Sequence, residues 1–132
     1  NDRLHCLNDS FQNLKGLWQT MNRDLQEKLE DKAYYGSKLY YTTGYYESAL
    51  SAFGNMLKDF PGSENAQEVR FLMVKSAYIQ ADNSIYDKKE DRFLETAKLY
   101  NEYKRKYETS KYDEELYEIF KETTKQLQKF KV

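Results

Sequence analysis

Apolar residues return every three or four positions from Leu7 to Leu29, through Phe11, Leu14, Trp18, Met21 and Leu25. That spacing draws one stripe along one face of a helix. Asn8 or Ser10 suits its N-cap. The leading helix over 7–29 has no partner earlier in the chain, so it reads as the tail or lid of a preceding array, with a bend or break near Glu30 and Asp31. A second helix is predicted from about Lys32 to Thr43, stopped by Gly44, which tolerates the left-handed conformation of a helix end. Tyr45 and Tyr46 open its antiparallel partner, which carries Ala49, Leu50, Phe53, Met56, Leu57 and Phe60 until Pro61 and Gly62 end it. The pair makes a first hairpin over 32–61, with Tyr40 on its buried face.

From 63 to 108 the pattern predicts a second, longer hairpin. Ser63 caps a helix over about 64–81 that is apolar almost all round: Val69, Leu72 and Met73 form one stripe, and Phe71, Val74, Tyr78 and Ile85 another. Such a helix belongs in the middle of a fold. Asp87 followed by Glu90 has the form of a capping box for the next helix, which runs to about Tyr107. Ser110 caps a last helix over 110–131, apolar at Leu116, Ile119, Phe120, Leu127 and Phe130 and charged on its other side, as suits an end cap.

The chain also echoes itself after 47 residues. Phe53, Met56, Phe60, Ser63, Val69, Leu72 and Met73 are answered by Tyr100, Tyr103, Tyr107, Ser110, Leu116, Ile119 and Phe120. The spacing of Tyr40, Gly44, Ala49, Phe53 and Pro61 resembles one tetratricopeptide hairpin, in which a small residue sits at the closest helix approach and proline stops the second helix. The usual period of that repeat is about 34 residues. The second unit therefore carries extra length, placed in the polar stretch Asp82 to Arg92. The expected fold is all-α, a right-handed array of antiparallel hairpins within one domain over 1–132.

Composition narrows the function. One proline, five glycines and 33% charged residues suit long helices, and 13 tyrosines supply a core with polar rims. A formal charge of −1 gives no basic stripe for nucleic acid. No run of about 18 apolar residues spans a bilayer. The start at Asn1, without methionine or an apolar signal segment, reads as a piece of something longer. Cys6 is the only cysteine and His5 the only histidine, so an internal disulfide and a multi-cysteine zinc site are excluded, and a Cys–His nucleophile would need sequence neighbours near a frayed end. Adjacent acids such as Glu114 and Glu115 point apart on a helix and make no acid/base pair. The reading carries no catalytic, cofactor or metal site. The basic clusters Lys88, Lys89, Arg92 and Lys104, Arg105, Lys106 are interleaved with acids and read as solvated faces. Tyr34, Lys38 and Tyr41 share a helical face away from Tyr40 and are the candidate partner-binding residues, at positions matching the concave groove of a tetratricopeptide array. The competing reading is that a neighbouring helix covers them.

Lys38-Leu39-Tyr40-Tyr41, Gly44-Tyr45-Tyr46, Ala49 and Met56-Leu57-Lys58-Asp59-Phe60-Pro61 resemble the C-terminal repeats of the BamD family of outer-membrane assembly lipoproteins. Lys75-Ser76-Ala77-Tyr78, Lys88 to Phe93 and Tyr107-Glu108-Thr109-Ser110 extend the likeness, which covers about residues 25–120 and looks like the versions in Bacteroidetes-type bacteria. The resemblance implies a non-enzymatic scaffold on the periplasmic side of the outer membrane, anchored by a lipid on residues absent from this chain. Its implied partner is the barrel-forming subunit BamA, with the other assembly components. Cys6 follows Arg3-Leu4-His5 without an apolar run, so it is not a lipobox cysteine. A generic tetratricopeptide adaptor of another envelope complex or chaperone shares every physical feature used here, and an enzyme subunit whose active site lies outside this chain is the third reading.

Overall fold

The computed structural model describes residues 2–131, and every element in it is a helix: α1 (Asp2–Thr42), α2 (Tyr46–Asp59), α3 (Ala66–Asp82), α4 (Tyr86–Lys106) and α5 (Asp113–Gln128). The chain divides into two compact units, Asn1–Lys32 and Ala33–Val132. The break expected near Glu30 and Asp31 does not occur, because neither residue stops a helix and α1 runs on to Thr42. In the first unit α1 carries its apolar side chains in solvent: Leu4, Leu7, Phe11, Leu14, Trp18, Met21 and Leu25 are 56–69% exposed.

In the second unit α3 is the hub, packed against α2, α4 and α5, with α4 also on α5. It holds eight buried residues, more than any other helix, which places it where a segment apolar almost all round has to lie. Phe53 and Met56 of α2, Val69 and Val74 of α3, Tyr103 of α4 and Leu116 of α5 are at most 1% exposed and share one core with Tyr34 and Ala49. Two expected core positions lie outside it: Tyr40 is 46% exposed and Ile85 67%. Tyr40 points into an open groove of about 430 Å3 with Glu47, Ser48, Ser51, Ala52 and Asn55.

The 47-residue echo reappears in the hydrogen bonds of the two turns. Phe60 N–H donates to Met56 O, and Tyr107 N–H to Tyr103 O, both at 2.8 Å. Asn65 N–H then donates to Ser63 Oγ at 3.1 Å, and Tyr112 N–H to Ser110 Oγ at 3.3 Å. Ala66 N–H to Ser63 O is matched by Asp113 N–H to Ser110 O, and Val69 N–H to Asn65 O by Leu116 N–H to Tyr112 O. The α2–turn–α3 and α4–turn–α5 connections are thus built alike. Each serine acts two residues ahead of the expected place, fixing the turn while Asn65 and Tyr112 stand at the N-caps.

The extra length expected of the second hairpin is helical. In the repeat, Phe93 of α4 answers Tyr46, the first residue of α2, so Tyr86 to Arg92 form about two added turns at the start of α4. The capping box expected from Asp87 and Glu90 is absent: Ile85 is the N-cap, no side chain caps the helix, and Asp87 lies in its first turn. There its charge favours the positive end of the helix dipole without a capping bond. Gly44 takes φ 87°, the only positive φ among the described residues, between α1 and α2. That left-handed turn is what a glycine supplies at little cost.

Candidate functional site

Two lysines reach across helices to two glutamates, and the glutamates are 47 residues apart. Lys38 Nζ of α1 lies 3.1 Å from Glu68 Oε1 of α3, and Lys75 Nζ of α3 lies 2.7 Å from Glu115 Oε1 of α5. Aromatic rings floor this row. Tyr34 donates its hydroxyl to Glu68 Oε2 at 2.5 Å, and Lys38 donates to the Tyr34 hydroxyl at 3.2 Å. The Lys75 ammonium sits 5.9 Å from the Tyr41 ring centre and 5.4 Å from that of Phe71. Phe71 in turn stacks on Tyr112 at 4.1 Å. One face of α3 therefore joins the last turns of α1 to the first turns of α5.

Burial and pairing act against one another on these groups. Burial, followed by the hydrogen bond to Glu68, holds the Tyr34 hydroxyl above its ordinary value. Hydrogen bonds to Tyr34 and Glu68 raise Lys38. Burial pushes the Glu68 carboxyl up, but the bonds it accepts from Tyr34 and Lys38 outweigh this and leave it below the ordinary glutamate value. At Lys75 burial lowers and the bonds to Glu115 and Tyr41 raise, with a net rise. The row sets the two Lys–Glu ion pairs on a bed of rings, with charge of both signs within a few ångströms.

The three candidate residues are brought together, in unequal exposure. Tyr34 is buried under α3, Lys38 keeps about a third of its side chain in solvent, and Tyr41 is half-buried, its ring packed edge-on to Tyr46 at 5.8 Å. Tyr34 therefore shapes the face through Lys38 and Glu68, while Lys38 and Tyr41 are the reachable members. Sequence reasoning missed Glu68, Lys75, Glu115 and Tyr112. The signal was present: Glu68 and Glu115 obey the same 47-residue echo as the core positions. The echo, followed through its apolar members alone, passes over them.

At the far end of the first unit His5 Nε2 lies 3.5 Å from Asp9 Oδ2, one turn on, both largely in solvent, and the Cys6 thiol is exposed. Among the described residues no helix is long and apolar enough to cross a membrane. No protein-family model matches the chain, and no curated protein matches it.

Proposed function

We propose that residues 33–131 are a non-enzymatic scaffold that binds a protein partner along the face joining α1, α3 and α5, in a tetratricopeptide-like array. The observation that carries this is the pair of Lys–Glu bridges, Lys38–Glu68 and Lys75–Glu115, whose carboxylates stand one repeat apart over Tyr41, Phe71 and Tyr112. Rings provide contact area at low entropy cost, and paired charges of both signs exchange partners readily with a polar peptide. Half-exposed bridges of this kind contribute only about 0–1 kcal/mol to folding. Recognition gives them a use that stability does not.

By the resemblance in residues 25–120, the partner is the barrel-forming subunit BamA of the outer-membrane assembly machinery, and the chain is the C-terminal part of a BamD-like lipoprotein held at the periplasmic face by a lipid outside this sequence. The periplasmic segment of BamA titrated into the chain by calorimetry tests this. Tyr41→Ala with Lys75→Glu should weaken binding by about 2 kcal/mol or more, the scale of an interface hot spot, with helicity unchanged. Undiminished affinity would remove this face from the interface. No binding by the native chain would overturn the BamA assignment and favour an adaptor of another envelope complex or chaperone.

A further inference from the structure

The unit Asn1–Lys32 carries a second surface, set by the period of its stripe. Leu4, Phe11, Trp18 and Leu25 are spaced by seven residues, and Leu7, Leu14 and Met21 follow the first three of them by three. A straight α-helix drifts about 20° per heptad against such a repeat. Apolar residues that hold to seven therefore fit a second helix that supercoils with the first. Leu17 and Leu29 widen the seam, and both are at least half exposed. At the area that about 25 cal/mol/Å2 assigns to a Leu-sized side chain, the stripe presents on the order of 700 Å2. That exceeds the ~300–600 Å2 of the largest patch on a typical monomer and approaches the ~800 Å2 each partner gives to a standard interface.

A helix covering this seam needs the same period and length. Among the described helices only α1 offers them free, since the apolar faces of α2, α3, α4 and α5 are spent on the shared core. We infer that two copies of this chain pair through α1 as an antiparallel coiled coil. The orientation follows from what each layer would hold. Parallel copies in register would stack Trp18 on Trp18 and set Lys28, next in the Leu7 series, against its own like charge. Of the antiparallel staggers that oppose the two apolar series, two match three residues of each. In both, Trp18 meets a leucine of the other copy, Leu7 or Leu14, and Arg3 beside the seam meets an acid, Asp24 or Asp31. Bulk is matched to smaller bulk, and Arg3 to an acid.

Light scattering on the 132-residue chain across the micromolar range should give twice the mass of the 15.9 kDa chain. Leu14→Glu with Met21→Glu should return it to one chain while the near-ultraviolet dichroism of its tyrosine-rich core persists, and Arg23→Gln, on the opposite side of the helix, should leave the dimer intact. A native chain monomeric at 100 μM, taken as roughly the upper end of that range, or a dimer untouched by the two glutamates, would overturn the inference. The exposed Cys6 takes a spin label without any substitution. Antiparallel pairing separates the two labels by roughly 20–30 Å along the axis at 1.5 Å per residue. A dipolar distance well under about 20 Å would mean parallel helices and would equally refute the arrangement.

Discussion

At the scale of the residue, the second unit is held by a few side chains from which water is wholly excluded. Phe53 is 0% exposed and belongs to the core shared by all five helices. Phe53→Ala should lower stability by about 3–5 kcal/mol on chemical denaturation, a large part of the ~5–15 kcal/mol of a whole domain. Buried hydroxyls behave differently from one another. Ser37, Ser76 and Thr96 return theirs to the carbonyl four residues back, at 2.6, 2.7 and 3.0 Å. Thr123 is as deeply buried and its Oγ1 has no partner. An unsatisfied hydroxyl costs about 1–3 kcal/mol, so Thr123→Val, of nearly the same shape, should raise the denaturation midpoint by about 1 kcal/mol of stability. A lowered midpoint would mean that Oγ1 is satisfied. Thr123 was hidden in the sequence, since an unpaired and a back-bonded threonine look alike on a helix.

At the scale of the element, boundaries set by one residue's backbone were legible, and boundaries set by cooperation between residues were not. Gly44 and Pro61 fall at the helix ends predicted for them, because a positive φ and a missing N–H act alone. The capping at Asp87 and the break near Glu30 failed for the opposite reason: the helix already starts behind an N-cap at Ile85, which leaves Asp87 inside the first turn, and Glu30 and Asp31 are ordinary helix residues once the helix is under way. The periodicity of α3 disclosed its central place, whereas Tyr40 looked like core and is exposed, since a tyrosine at helical spacing does not say which neighbour it meets. Of the candidate face, Tyr34, Lys38 and Tyr41 were legible from one helix. Their partners Glu68, Lys75 and Glu115 lie 30 or more residues away and come near only through packing. The acid limb of stability should expose this pairing. Glu68 is held below its ordinary value of 4.5, so the folded state binds that proton less readily than the unfolded one. Its contribution is complete above about pH 4.5 and is lost as pH falls through the lowered value. Lys38 and Tyr34, both raised, act at the other end, where stability falls as pH rises past their ordinary values of 10.5 and 10.0. Glu68→Gln should therefore flatten the fall in melting temperature below pH 4.5, and an acid limb as steep as the native one would place the effect elsewhere.

At the scale of the whole molecule, the two units differ in what protects their backbone. The unit from Ala33 has a core reached from all five helices, with α3 at its centre, so opening α3 exposes most of that core at once. The unit to Lys32 is helix without a core of its own, and in water an unpacked helix of this kind is marginal, because its stability comes from packing an apolar face rather than from propensity. Amide exchange should resolve the two. The slowest amides should lie in Val69 to Ala77 and exchange only with global opening, whatever the protein concentration. Amides between Leu7 and Leu25 should exchange fast in dilute protein and slow down as concentration rises, since mass action places a second copy on the stripe. Substitution of Leu14 and Met21 by glutamate should abolish that dependence and leave the α3 amides as slow as before. Concentration-independent protection from Leu7 to Leu25 would show that the leading helix is held without a second copy, and fast exchange in α3 would remove it from the centre of the core.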